Sequence, residues 1–227
     1  EITGSSGAEC VEARVRLQAT LPTAYLRTDP RWFLTTYVAD RTTDMPLERV
    51  MALSKEADAS LGLTHQTALR LLSRVASHLV TQPLEAMKYV DEYDRRVASK
   101  FGPDDPESVV NITQRSYYLG RVQGPAAVVT YLRDQLPKAE RLLGESSPLM
   151  SRAMSNMGAS LYQIGECDEA EQWLLRSRRL GADSFSKASN WLLYIDENLV
   201  RCYFQARRKA DAEAVGRSML ERCPPET

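Results

Sequence analysis

The chain has 227 residues, a formal net charge of −1, and 43% hydrophobic, 26% charged and 7% aromatic residues. That balance suits a soluble protein with a helical core and excludes a global field that would recruit nucleic acid or an anionic membrane. The apolar runs fall short of the 18 residues a membrane span needs, and no signal peptide is visible.

In chain order, residues 1–7 are Gly/Ser-rich and are expected to form a flexible end. Residues 8–61 read as N-terminal helices and a degenerate leading hairpin. The first helix covers residues 8–21, with Val11 and Val15 on its apolar side. Pro22 breaks it. Asp29-Pro30 opens the next, which carries Trp32, Phe33, Tyr37 and Val38. Residues 44–61 follow, with Leu47, Val50, Met51, Leu53 and Ala57 inward. A repeated array then spans residues 62–223, in hairpins at about 65–100, 106–142, 148–180 and 184–222. Residues 224–227 form a short tail after the Pro224-Pro225 stop. Pro137, inside the second hairpin, is expected to kink its helix.

The clearest hairpin is residues 148–181. Met150, Met154, Met157, Leu161 and Ile164 recur at three- and four-residue steps, which places them on one helical face. Gly158 and Ala159 are small enough to admit a second helix at close range. Gly165 ends the helix and Asp168 opens the next, whose inner face is Ala170, Trp173, Leu174 and Ser177. One such hairpin cannot bury its own face, so neighbours are required. A hydrophobic residue followed by Gly and a polar stretch recurs at Gly62, Gly102, Gly144 and Gly181, spaced 40, 42 and 37 residues apart. The pattern predicts an all-α solenoid of antiparallel helical hairpins.

Asn156-Met157-Gly158, Leu161-Tyr162, Gly165 and Asp168-Glu169-Ala170-Glu171 together resemble a tetratricopeptide (TPR) repeat. The longer period and the Leu143-Gly144-Glu145-Ser146-Ser147-Pro148 connector resemble the kinesin-light-chain type, with repeats near 42 residues. The resemblance covers about residues 46–222. It implies a right-handed α-solenoid and a non-catalytic protein–protein interaction scaffold. Such a scaffold binds a partner segment in a concave groove or serves as a subunit of a larger assembly.

Catalytic chemistry has little to stand on. No GxSxG, P-loop or HExxH occurs, and the chain is expected to be no enzyme, with no metal and no cofactor. His65 is expected at a helix start and His78 on the surface or in the groove. Carboxylate pairs such as Asp104-Asp105 and Asp168-Glu169 lie at helix starts, where they complement the dipole. Arg176, Arg178, Arg179, Arg207 and Arg208 leave one alternative open, a helical-repeat RNA binder. Near-neutral charge argues against it.

The resemblance also implies groove residues. Asn111, Asn156 and Asn198 track the repeat at spacings of 45 and 42 residues. An amide can grip an extended peptide backbone whatever its side chains. Alternatively, these asparagines tie adjacent hairpins in register. Gln114, Tyr117, Arg152, Tyr162, Gln163, Arg201 and Gln205 are the other expected groove residues. In the first hairpin Leu72 takes the asparagine's place, so the groove there is expected to be apolar.

Cys10, Cys167, Cys202 and Cys223 lie far apart with no CxxC pair. That fits a reducing compartment and an intracellular protein. A cytoplasmic location is expected, or a mitochondrial or organellar one if Glu1 is a processed N-terminus.

Overall fold

The computed structural model describes residues 45–184 and 190–222. The segment expected to be flexible at 1–7, the helix at 8–21, the one opening at Asp29-Pro30 and the tail at 224–227 lie outside the described residues. The chain divides into two compact units, residues 1–100 and 101–227. Ten helices and no strand occur among the described residues.

The first unit contains α1 (Leu47–Leu61), α2 (Gln66–His78) and α3 (Pro83–Lys100), each packed on the next. Gly62 follows α1 at φ 90°, a conformation that costs an L side chain energy but not glycine. His65 caps α2: its Nδ1 accepts from the Thr67 N–H at 3.2 Å. The inner residues of α2 are Leu69, Leu71, Leu72 and Val75, and those of α3 are Val90, Tyr93 and Val97. Arg96, buried in α3, clasps both Asp58 carboxylate oxygens of α1 at 2.6 and 2.8 Å. It also reaches Glu92 one turn back, at 2.7 Å.

The second unit runs α4 (Glu107–Val110), α5 (Ile112–Gln123), α6 (Pro125–Leu143), α7 (Pro148–Gln163), α8 (Cys167–Ser184), α9 (Asn190–Gln205) and α10 (Lys209–Arg222). Successive helices from α5 onward pack on each other. In addition α5 touches α7 and α7 touches α9. The front helices therefore form a ladder, with α6, α8 and α10 behind them, which is the arrangement of a helical-hairpin solenoid. Gly124, Gly144 and Gly165 turn the chain between helices at φ 89°, 79° and 92°.

Several local features differ from the sequence expectation. The helix expected from Pro106 is broken at Asn111, whose φ/ψ of −84°/1° ends α4 and opens α5. Pro137 lies inside α6, as expected, and the helix is continuous through it, with Leu136 and Ala139 buried beside it. Gly181 does not end α8, which continues to Ser184. A glycine inside a helix pattern can be either cap or interior, and flanking residues decide. Trp173 is half-buried rather than part of the inner face, and its Nε1 donates to Glu169 at 3.3 Å. The inner face of α8 is Ala170, Leu174 and Ser177, all fully buried.

The α7–α8 seam is the tightest contact. Met150, Met154, Met157 and Leu161 are all fully buried. Burying one such side chain contributes about 1.5–3 kcal/mol. Ser151 and Ser177 face each other across the seam, each hydroxyl donating to the other's backbone carbonyl at 2.9 and 2.6 Å. A Cβ placed on Gly158 would lie 2.5 Å from Leu174 Cγ and 3.1 Å from the Ala170 carbonyl oxygen. Only glycine fits there.

Two alanine variants test this packing. Gly158→Ala should destabilise the chain by about 1–3 kcal/mol in urea unfolding, because the seam must open. Gly216→Ala in α10, where nothing lies within 4 Å of the added Cβ, should be neutral or stabilise by about 0.5–1 kcal/mol. Equal effects at the two sites would mean that the seam is not close-packed.

Candidate functional site

The ladder of α5, α7 and α9 brings side chains from three hairpins to one face. Tyr117 of α5 and Tyr194 of α9 stand 41% and 37% exposed. Between them α7 offers Asn156, Ala159, Ser160 and Gln163. These residues line a cavity of about 190 Å³ together with Ser116, Gly120, Arg121, Pro125 and Val128. The lining of this slot combines two phenol rings, one from each flanking front helix, with small and amide-bearing residues of α7.

Sequence periodicity explains the floor. The close approach of α7 to its neighbours requires small residues, and Ala159 and Ser160 leave room above them. Cations sit over the neighbouring rings, with Arg121 5.7 Å from the Tyr117 ring centre and Arg152 5.5 Å from that of Trp191. Trp191 packs against Tyr194 at 5.5 Å. Partial burial of the ring holds the Tyr194 phenol above its ordinary value.

Of the ten expected groove residues, Tyr117, Asn156 and Gln163 line this slot. Arg152, Arg201 and Gln205 are exposed on front helices outside its lining, and Gln114 and Tyr162 are half-buried. Arg201 pairs with Glu197 at 2.5 Å. Two of the asparagines are enclosed: Asn111 is 6% exposed at the α4–α5 joint and Asn198 is 3% exposed. The Asn198 amide donates back along α9 to the Tyr194 carbonyl at 2.8 Å. Asn156 spends its N–H donors on α5, at Thr113 O (3.3 Å) and Ser116 Oγ (2.9 Å). Its bonding pattern is that of a tie between front helices. Tyr194, Arg121 and Ser160 were missed in the sequence; the exposed aromatic one repeat along from the α7 floor was the available signal for Tyr194.

No protein-family model matches the chain, and no curated protein matches it. Solved structures do match. The crystal structure of BtubC (BKLC) from P. vanneervenii aligns with a TM-score of 0.71 at 15% identity, covering 98% of this chain and 95% of that one. The fold is TPR-like. A Podospora anserina protein with nearly identical TPR-like repeats of the kinesin-light-chain kind aligns with a TM-score of 0.59 at 13% identity, covering 92% of this chain and 95% of that one. A Rap protein complexed with competence and sporulation factor gives 0.63 at 15% identity, over 84% of this chain and 53% of that one.

In this TPR-like array the arginine clusters mostly serve neighbouring carboxylates. Arg176 pairs with Glu140, and Arg133 meets Glu169 at 2.6 Å. Arg208 clasps Glu171, at 2.5 and 3.2 Å, and Asp211. Arg178 and Arg222 converge on the fully buried Asp196. Arg179 and Arg207 remain on the exposed surface. Charges paired in this way contribute less to the counterion release that drives RNA binding. Among the described residues no helix is long and apolar enough to cross a membrane, and no cluster of His, Cys, Asp and Glu could hold a metal. A second cavity, of about 320 Å³, lies within the first unit. It is lined by Lys55, Lys88 and Arg96 against Asp58, Glu85 and Glu92, and its charges balance.

The tie made by Asn156 is measurable. Asn156→Ala removes the tie from α7 while Ser116 Oγ still donates to the Thr113 carbonyl at 2.9 Å, so thermal unfolding should show the loss of ordinary hydrogen bonds, about 0.5–1.5 kcal/mol. An unchanged melt would mean that the amide does not hold α5 to α7.

Proposed function

We propose that this chain is a non-catalytic interaction scaffold, and that the α5–α7–α9 face binds an extended segment of a partner protein. The observation that carries this reading is the slot between Tyr117 and Tyr194. Exposed tyrosines flanking a floor of small residues give large contact area at low entropy cost, which suits them to anchor a bound chain. Gln163 at one end can donate to and accept from a peptide backbone. The front-helix ladder supports the slot rigidly, because each wall stands on a helix packed against α7.

In this reading Asn156 keeps the slot at its proper width, while the tyrosines make the contact. The resemblance to TPR-like structures supports a protein ligand over a small metabolite, and one of those structures is a complex with competence and sporulation factor.

A displayed peptide library selected against the chain tests the proposal. Enriched peptides should bind the parent and lose at least tenfold affinity, about 1.4 kcal/mol, in Tyr117→Ala/Tyr194→Ala. The melting temperature should hardly change, since both rings are exposed. Peptides that bind the double variant as tightly as the parent would place the contact elsewhere.

A further inference from the structure

Helix α10 packs on α9 with one side and leaves the other bare. On the packed side Ala212 is buried, and Val215 and Met219 are half-buried. Ala210, Glu213, Ala214, Arg217, Leu220 and Glu221 are exposed, and at about 3.6 residues per turn they form one continuous stripe. Leu220, the one large apolar side chain of the stripe, is 61% exposed. Helix α8 provides a covered counterpart. The turns before α8 and α10 close alike, with the Glu166 N–H on the Leu161 carbonyl and the Arg208 N–H on the Tyr203 carbonyl. In that register Glu171 corresponds to Glu213 and Arg178 to Leu220. Glu171 accepts from Tyr203 and Arg208 of the next hairpin, and Arg178 pairs with Asp196 of α9. Among the described residues Glu213 meets only Lys209 of its own helix, at 3.7 Å, and Leu220 faces solvent. Arg217 has no ion-pair partner among the described residues.

Ala210, Glu213, Arg217 and Leu220 are spaced three, four and three residues apart, the spacing of a two-helix seam. Read in reverse, the series is its own complement: small meets large, and acid meets base. We propose that the chain pairs with a second copy of itself through this stripe, α10 against α10, antiparallel and related by a two-fold axis at Val215. In that pairing Ala210 packs on the partner's Leu220 and Glu213 pairs with the partner's Arg217. The two-fold makes each contact twice. Parallel pairing instead sets Glu213 against the partner's Glu213 and Arg217 against the partner's Arg217, and like charges disfavour it.

Helix α10 has 14 residues and is about 21 Å long, so the contact lies at the small end of specific interfaces and the dimer is weak. Its charged pairs fix orientation and register more than they add affinity. Ala210 and Ala214 are small enough to let the two helices come close. None of these residues lines the α5–α7–α9 slot, so the paired form carries two slots. Where the slot binds a partner segment as proposed above, a partner with two such segments is held by both copies at once. The pairing itself does not rest on that reading.

Sedimentation velocity of the full chain, over a series from micromolar to submillimolar concentration, is the test. The parent should pass from monomer to dimer across the series. Glu213→Arg and Arg217→Glu each set like charges against one another at both contacts, so each should raise the dissociation constant about tenfold or more. An equal mixture of the two variants restores opposite charges at both contacts and should dimerise like the parent. Both residues are exposed, so the melting temperatures of the variants should match the parent's. A parent that stays monomeric throughout the series would overturn the proposal. So would parent-like dimers of either variant alone, or a mixture that fails to pair.

Discussion

The contact between Gly158 and Leu174 governs the second unit. Leucine fits between α7 and α8 only because position 158 has no side chain, and the two axes can then come close enough for Ser151 and Ser177 to exchange hydrogen bonds with each other's backbone. Dispersion contacts are weak singly and depend steeply on distance, so a seam this close gathers many of them. Four buried residues of α7, Met150, Met154, Met157 and Leu161, complete it. The remaining helices of the unit are placed relative to this pair: α5 and α6 on one side, α9 and α10 on the other.

Polar groups then set the register that apolar packing leaves loose. Hydrophobic contacts tolerate sliding, whereas a hydrogen bond or a bidentate ion pair does not. Asn156 fixes α7 against α5. Asp196, fully buried, receives Arg178 from α8 and Arg222 from α10, which orders the last two hairpins around one carboxylate. A buried carboxylate without those cations would cost several kcal/mol, so the three residues operate as a unit. In the first unit Arg96 and Asp58 tie α3 to α1 in a similar way. The excess of arginine over lysine in the sequence finds much of its use in these planar, two-pronged contacts.

The hairpin plan was legible because it rests on periodicity and on small residues. The three- and four-residue steps of Met150 to Leu161 and the small side chains at 158 and 159 admit few alternatives to a close helix pair. His65 at a helix start was legible from the resemblance of its connector to the kinesin-light-chain type, and it caps α2. What sequence left open were choices that tertiary contacts make. Gly181 could cap or continue a helix, and α8 continues through it. Asn111 could sit within a helix, yet the chain breaks there. The asparagine ladder is the most instructive case: an amide donates and accepts equally well toward a ligand or toward a neighbouring helix. The repeat spacing pointed to one shared place, yet Asn111 lies at the α4–α5 joint while Asn156 and Asn198 lie within helices; the partners at Thr113, Ser116 and Tyr194 showed what occupies the donors of the latter two. Tyr194 went unnoticed because an exposed aromatic in an amphipathic helix has no pattern of its own until Tyr117 stands opposite it.

If the α7–α8 seam anchors the second unit, local stability should fall away from it in both directions. Hydrogen–deuterium exchange of the intact chain, resolved by peptide, measures this directly. The slowest amides should lie in α7 and α8, with faster exchange in α10 and in α4 at the two ends of the unit. Slowest exchange in α9–α10, or α7 and α8 opening before their neighbours, would contradict the account.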